Sequence, residues 1–153
     1  MLDHMRRGAK GTGRQPTVVA IGANHGIYSL VAARHGARVV AVEPQRDLAS
    51  FVAMAAALNG YEDRVTVLRM AVSDTRGTVA INIPASVGRG SGVSEGGTAF
   101  ISPVETKGLK TGGDGGYWRN AIDKNTEEIP AMPISEIVEK GASVDFLKVD
   151  VEG

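Results

Sequence analysis

Short, continuous apolar runs alternate with helically spaced apolar positions along the first half of the chain. The runs at 18–21, in ARVVAVEP and in RVTVLRMAV predict strands that are covered on both faces. Between them, apolar residues at helical spacing predict a helix from residue 27 to a stop at Gly36, and a second, alanine-rich helix in QRDLASFVAMAAALNG. The order strand, helix, strand, helix, strand predicts parallel strands joined by right-handed crossovers.

This pattern changes after SDTRG, which ends at Gly77. TVAINI alternates between apolar and polar residues and predicts an added strand. Residues 85–120 hold 10 of the 20 glycines, which predicts a mobile surface loop, with Tyr117 and Trp118 as either an aromatic lid or an anchor. Regular structure is predicted to resume in EEIPAMPI, in a short helix over 135–140 and in the strand VDFLKVD.

The chain ends at VEG, directly after this last strand. Doubly wound sheets do not normally finish on a central strand, because its far flank would be an open, apolar edge. We therefore expect residues 17–153 to be the N-terminal part of a longer domain, preceded by a flexible leader over 1–16. A partner that covers the edge is the alternative.

Composition narrows the classes of function. The length of 153 residues predicts one domain, and the 17 basic and 17 acidic residues balance, so the net charge favours neither nucleic acid nor an anionic membrane as a partner. The chain lacks cysteine, which excludes disulfides and thiolate ligands. No apolar run reaches the ~18 residues of a membrane span, and the first residues lack a signal-peptide core. We expect a cytoplasmic location and make no prediction of oligomeric state.

The leader carries four basic residues that allow two interpretations. They are a candidate phosphate-seeking arm, or they are solvated positions of a frayed terminus. The four are Arg6, Arg7, Lys10 and Arg14.

The sharpest functional signal is the turn in TVVAIGANHG, between the first strand and the first helix. Gly22 and Gly26 allow a ligand to approach the backbone, and the N–H groups and positive end of the helix favour a nucleotide-like cofactor. The structural alternative is that both glycines only permit a tight turn.

An acidic residue strengthens the cofactor interpretation. Glu43 ends the next strand, 21 positions after Gly22, where a carboxylate can accept hydrogen bonds from both hydroxyls of a ribose. Asn24 stands where the dinucleotide fingerprint G-x-G-x-x-G has its middle glycine. A side chain there crowds a pyrophosphate, so the sequence favours a smaller ligand with an amino-acid head, such as S-adenosylmethionine.

Four segments of the chain resemble one family of enzymes. IGANHGIYSLVAARHGARVVAVEPQRDL, LNG, AVSD and above all DFLKVDVEG, with its particular K-x-D-x-E-G ending, are similar to FkbM-type S-adenosylmethionine-dependent methyltransferases. The resemblance covers residues 17–83 and 129–153. It implies an α/β fold with a Rossmann-like, doubly wound and mostly parallel sheet, here incomplete at the C-terminus. It also implies methylation of hydroxyls on sugars or secondary metabolites as small-molecule acceptors.

The resemblance further implies how S-adenosyl-L-methionine is held. The methionine part would lie on the glycine turn, the ribose on Glu43 and the adenine beside residues that follow the third strand. The implied cofactor-binding residues are Gly22, Ala23, Asn24, Gly26, Glu43, Pro44, Ala71 and Val72. Asp150, at the carboxyl end of its strand, would face the donor methyl and the acceptor.

One departure from the family pattern keeps other functions open. Such methyltransferases usually carry an aspartate two positions before the first glycine, and this chain has Ala20 there. The missing carboxylate should weaken cofactor binding, which leaves a non-catalytic S-adenosylmethionine-binding domain as an alternative. An NAD-dependent oxidoreductase is a third interpretation, disfavoured by Asn24.

Methyl transfer depends mainly on alignment, but a hydroxyl acceptor also calls for a base. The candidates, in order, are Asp150, Glu152 and His25. We do not expect Asp150 and Glu152 to act as a paired acid and base. A structural cap is the alternative for Glu152, and a solvated helix-start residue is the alternative for His25. No cluster has the spacing of metal ligands, so we expect no metal.

Overall fold

A computed structural model describes residues 13–82, 100–103, 126–138 and 140–151. The predicted glycine-rich loop, with Tyr117 and Trp118, lies outside these ranges, as do Glu152 and the leader before Gly13. Within them, eight strands form two sheets of four strands each, and three helices accompany the strands.

The first sheet is parallel throughout and has the order β3-β2-β1-β8. Helix α1 (Ile27–Arg34) joins β1 to β2, and helix α2 (Arg46–Leu58) joins β2 to β3. The strands of this sheet are β1 (Thr17–Ile21), β2 (Arg38–Val42), β3 (Val65–Leu68) and β8 (Phe146–Val149). The α/β class and the parallel order of the first three strands are therefore confirmed, and β8 pairs with β1 as the sequence predicted.

The second sheet is mostly antiparallel and has the order β4-β7-β5-β6. Only the short β4 runs parallel to its neighbour β7. Its strands are β4 (Ala71–Val72), β5 (Gly77–Asn82), β6 (Phe100–Pro103) and β7 (Thr126–Met132). A single turn of helix, α3 (Ile134–Ile137), follows β7 and is shorter than the predicted helix over 135–140, because Val138 already has an extended backbone.

The predicted third strand, RVTVLRMAV, is wrong as one element. It is divided into β3 and β4, which belong to different sheets. The backbone turns at Met70, whose N–H donates to the carbonyl of Leu68 at 3.1 Å. Arg69, at the break, forms an ion pair with Glu127 on β7 at 2.5 Å, so a contact distant in sequence accompanies the change of sheet.

Buried valines and alanines hold α1 and α2 on one face of the parallel sheet. The strand register aligns Val18 with Val39 and Phe146, and Val39 with Val65. The helices add a complementary set of small side chains to the same core: Ala32, Ala33, Val52 and Ala56. Burial of each valine stabilises the fold by roughly 1.5–3 kcal/mol, and the alanines let the helices approach closely.

A three-residue ion network joins the two sheets. Glu127 on β7 pairs with Arg69, and its other carboxylate oxygen accepts a hydrogen bond from Arg46 of α2 at 3.1 Å. The hydrogen bond from Arg69 lowers the pKa of Glu127 below its ordinary 4.5. Burial opposes this shift, and the charges of Arg69 and Arg46 add to the lowering.

This network predicts a loss of stability in acid. Because the pKa of Glu127 is lowered by folding, its contribution is present above the unfolded value of 4.5 and is lost as the pH falls through the folded value. We expect Glu127→Gln to lower the free energy of unfolding at neutral pH by roughly 0.5–1 kcal/mol, since partly exposed pairs are weakened by solvent. The difference from the unsubstituted protein should vanish in acid. Urea unfolding at neutral pH and at a series of pH values below 4.5 measures this. Glu128→Gln, at the exposed neighbouring position, is the control and should show no such difference.

Candidate functional site

The glycine turn between β1 and α1 has a backbone that few residue types allow. Three of its residues have left-handed φ angles: 69° at Gly22, 53° at Asn24 and 76° at Gly26. Asparagine tolerates this conformation better than most side chains. Its side chain folds back onto the turn, where Oδ1 of Asn24 accepts the backbone N–H of His25 at 2.7 Å. The polar residue that replaces a glycine therefore stabilises the turn itself.

The packing of the protein also excludes a side chain at both Gly22 and Gly26. A Cβ at Gly22 would lie 2.0 Å from the carbonyl oxygen of Asp150, and a Cβ at Gly26 would lie 2.8 Å from Cγ2 of Val52. Gly22 thus lets the end of β8 approach β1, and Gly26 lets α2 approach the turn. The structural interpretation of the two glycines is supported, and it is compatible with a ligand on the outer side of the turn.

Every backbone N–H from residue 22 to residue 26 donates within the protein. Those of Gly22 and Ala23 share the carbonyl of Val42, each at 3.0 Å, and that of Gly26 reaches the carbonyl of Ala23 at 2.9 Å. The N–H of Asn24 donates to Oε2 of Glu43 at 2.8 Å, and that of His25 reaches the Asn24 side chain. The turn is held by its own hydrogen bonds.

Glu43 connects this turn to the start of α2. Its side chain is buried, at 3% exposure, directly after β2. One carboxylate oxygen accepts the N–H of Asn24, and the other accepts the N–H of Gln45 at 3.0 Å. Each oxygen keeps a second lone pair, so the carboxylate can still accept two ribose hydroxyls. The structure thus brings together the predicted turn and the predicted acid. The Glu43 carboxylate joins them and retains acceptor capacity of the kind that a ribose requires.

The predicted adenine-side residues follow the neighbouring strand end. The N–H of Glu43 donates to the carbonyl of Leu68 at the end of β3, and Pro44 is half-buried beside it. Ala71 and Val72 form β4, three and four residues after that carbonyl. Ala71 is 2% exposed and packs in the core of the second sheet, whereas Val72 is half-buried. Their contact with adenine stays a prediction.

Asp150 lies next to the glycine turn. Its backbone N–H donates to the carbonyl of Ile21 at 3.1 Å, and its carboxylate is 78% exposed. His25, the third candidate base, packs its ring edge-on against Phe51 of α2, with 5.6 Å between centroids. In the described part of the chain, no hydrogen bond or ion pair joins His25 to Asp150. Glu152 lies outside the described residues, so its role beside Asp150 stays a prediction.

Lys148 is the residue of this site to which the sequence reasoning assigned no role. Its ammonium nitrogen Nζ donates to the carbonyl of Gly22 at 2.5 Å and lies 3.2 Å from Oδ2 of Asp150. The side chain is only 12% exposed, and Nζ lies 5.6 Å from the centre of the Tyr28 ring. The K-x-D spacing carried the signal, because alternation places both side chains on one face of β8.

Ala20, the departure from the family pattern, is fully buried in β1. The register places it beside Ala41 on one neighbouring strand and Lys148 on the other. The position that usually carries an acid therefore adjoins the lysine that binds the turn.

The described residues lack two further features that would bear on function. They contain no group of three or more acidic, histidine or cysteine side chains placed to hold a metal ion. None of the helices in the same ranges has the length and apolarity needed to cross a membrane.

A parallel sheet with a glycine turn after its first central strand and a buried acid after the next defines a Rossmann-like cofactor domain. The chain belongs to the FkbM methyltransferase domain family, whose model matches residues 20–153. This confirms the resemblance seen in the sequence. A comparison with curated proteins finds no match.

Parts of the chain are also similar to solved structures. A SAM-dependent methyltransferase from Agrobacterium tumefaciens shares 21% identity at a TM-score of 0.39, over 46% of this chain and 23% of that one. The bifunctional kinase-methyltransferase WbdD shares 22% at 0.40, over 44% and 16%. A SAM-dependent methyltransferase from Geobacter sulfurreducens in complex with S-adenosyl-L-homocysteine shares 21% at 0.36, over 49% and 33%. The matches thus span a third or less of each of these proteins.

Proposed function

We propose that this chain is part of an S-adenosylmethionine-dependent methyltransferase that methylates a hydroxyl of a small molecule, a sugar or a secondary metabolite. The observation that carries the proposal is the buried Glu43 carboxylate, which joins the glycine turn to the next strand end in a chain of the FkbM methyltransferase family. The hydroxyl acceptor rests on the family resemblance. The cytoplasmic location and the absence of a nucleic-acid partner stay predictions.

In this proposal the residues of the site bind and orient. When bound, S-adenosylmethionine supplies a methyl group that is already activated by its sulfonium. Glu43 accepts hydrogen bonds from the ribose, and the turn of residues 22–26 contacts the methionine part. Asp150 presents an exposed carboxylate beside the turn and accepts the proton of the acceptor hydroxyl. The Lys148 ammonium, 3.2 Å from that carboxylate, orients it.

Binding measurements separate this proposal from a nicotinamide enzyme. We expect calorimetric titration to detect S-adenosylhomocysteine and not NAD, because the Asn24 side chain occupies a position that a pyrophosphate needs free. Glu43→Gln should weaken S-adenosylhomocysteine binding by at least about 1.5 kcal/mol, since the amide replaces charge-assisted hydrogen bonds. Glu62→Gln, an exposed acid after α2, is the control. Unchanged affinity in a folded Glu43→Gln protein would remove Glu43 from the cofactor site.

Turnover separates a methyltransferase from a domain that only binds the cofactor. The binding-only alternative is favoured by Ala20, which lacks the usual carboxylate. The test is transfer of isotopic label from S-adenosylmethionine to a panel of small molecules, matched in skeleton, with free or blocked hydroxyls. We expect label only on the free hydroxyls. Cofactor binding without labelling of any acceptor would favour the binding-only function.

A further inference from the structure

Lys148 is a charged side chain enclosed between the turn and the first helix. At 12% exposure it is among the less accessible charges near the site, and the Tyr28 ring covers one side of it. Two of the three N–H groups of an ammonium are accounted for, by the carbonyl of Gly22 and by Oδ2 of Asp150. One donor remains available at a point where β8 meets the glycine turn.

An amino-acid head on this turn needs a donor for its carboxylate. The five backbone N–H groups of residues 22–26 already donate to Val42, Glu43, Asn24 and Ala23. A ligand carboxylate cannot take any of them without breaking a bond within the turn. Ala20, which stands where the family pattern has an aspartate, is aligned with Lys148 across β1 and β8. The adjacent position of β1 therefore offers Lys148 no carboxylate.

We infer that Lys148 binds the α-carboxylate of the methionine part of the cofactor with its remaining N–H, while its bond to Gly22 keeps the turn in place. A charge-assisted bond from a partly buried ammonium is stronger than one from a neutral donor. This inference rests on the proposed function, because it concerns the same cofactor on the same turn. It adds a binding residue that recognises one chemical group, the carboxylate.

The purified protein with two ligands tests this recognition. S-adenosylhomocysteine carries the free carboxylate, and its methyl ester carries the same ribose, adenine and amino group without that charge. We expect the unsubstituted protein to bind the free acid at least tenfold more tightly than the ester by calorimetry. Equal affinities would overturn the inference. Binding of neither ligand would instead count against the proposed function itself.

Variants assign the preference to one residue. Lys148→Gln keeps a neutral donor and should bind acid and ester within twofold of each other, whereas Lys140→Gln, an exposed lysine outside the site, should keep the tenfold preference. If a folded Lys148→Gln protein still prefers the free acid tenfold, the ligand carboxylate is bound by another residue and the inference is overturned.

Thermal unfolding checks that each variant is folded. If Lys148→Gln does not fold, Lys148→Arg carries the test, because it retains the cation and should retain the preference for the acid. Equal binding of acid and ester by a folded Lys148→Arg protein would count against the inference.

Discussion

Replacing Gly22 with alanine should destabilise the protein by at least about 3 kcal/mol. A left-handed backbone costs a residue with a Cβ roughly 1–2 kcal/mol, and the φ angle of Gly22 is 69°. The added carbon would also lie 2.0 Å from the carbonyl oxygen of Asp150, which is backbone and cannot rotate away. Relief of this overlap requires the end of β8 to move from β1, so the bond from Asp150 to Ile21 should be lost as well.

Gly60 supplies a matched control for this substitution. Its φ angle is 68°, and a Cβ there would meet nothing within 4 Å. Gly60→Ala should therefore cost only the backbone strain of roughly 1–2 kcal/mol. Urea unfolding of both variants isolates the cost of the overlap with Asp150. Equal losses of stability in the two variants would show that the close approach of the Asp150 carbonyl to Gly22 adds no cost.

Asp145→Ala should lower the free energy of unfolding by about 2–4 kcal/mol. The carboxylate of Asp145 is only 9% exposed and accepts hydrogen bonds from both terminal nitrogens of Arg14, at 2.8 and 2.6 Å. It also accepts the backbone N–H of Thr17 at 2.8 Å, while its own N–H donates to the Thr17 carbonyl. Loss of a buried, bidentate partner costs more than loss of a surface pair.

Asp63→Ala is the control, because Asp63 is 72% exposed and lies 3.6 Å from Arg64. It should change stability by less than about 1 kcal/mol. Chemical unfolding of both proteins measures the difference. A loss in Asp145→Ala as small as that in Asp63→Ala would contradict the anchoring of β8 through this carboxylate. The same contact places Arg14, assigned to the leader from the sequence, on the folded domain.

Periodicity was sufficient for the elements of the parallel sheet. The strands and helices of residues 17–68 are buried mainly by elements that are close to them in sequence. Their apolar periodicity is therefore sufficient to predict the type and order of these elements. The break at Arg69 was not predictable in this way. Arg69 and Met70 lie inside an apolar run, and the ion pair that accompanies the break involves Glu127, 58 positions later.

The residues of the candidate site likewise separate into those that the sequence predicted and those that it did not. The position of Glu43 follows from a general rule, that the carboxyl ends of neighbouring parallel strands meet at one edge. The bond from Lys148 to Gly22 joins residues 126 positions apart and depends on the register between β1 and β8. No local pattern specifies such a register, although the K-x-D alternation placed Lys148 beside Asp150.

Because the backbone amides of the turn are already hydrogen-bonded within the protein, we expect the turn to be rigid before the cofactor binds. A loop that depends on its ligand for hydrogen bonds must order on binding and loosen afterwards, and that ordering weakens affinity. Here the amides of residues 22–26 have partners in the protein without any ligand. Their hydrogen exchange with solvent should therefore be slow in the ligand-free protein and change little on binding, so that the cofactor enters a surface that is already rigid.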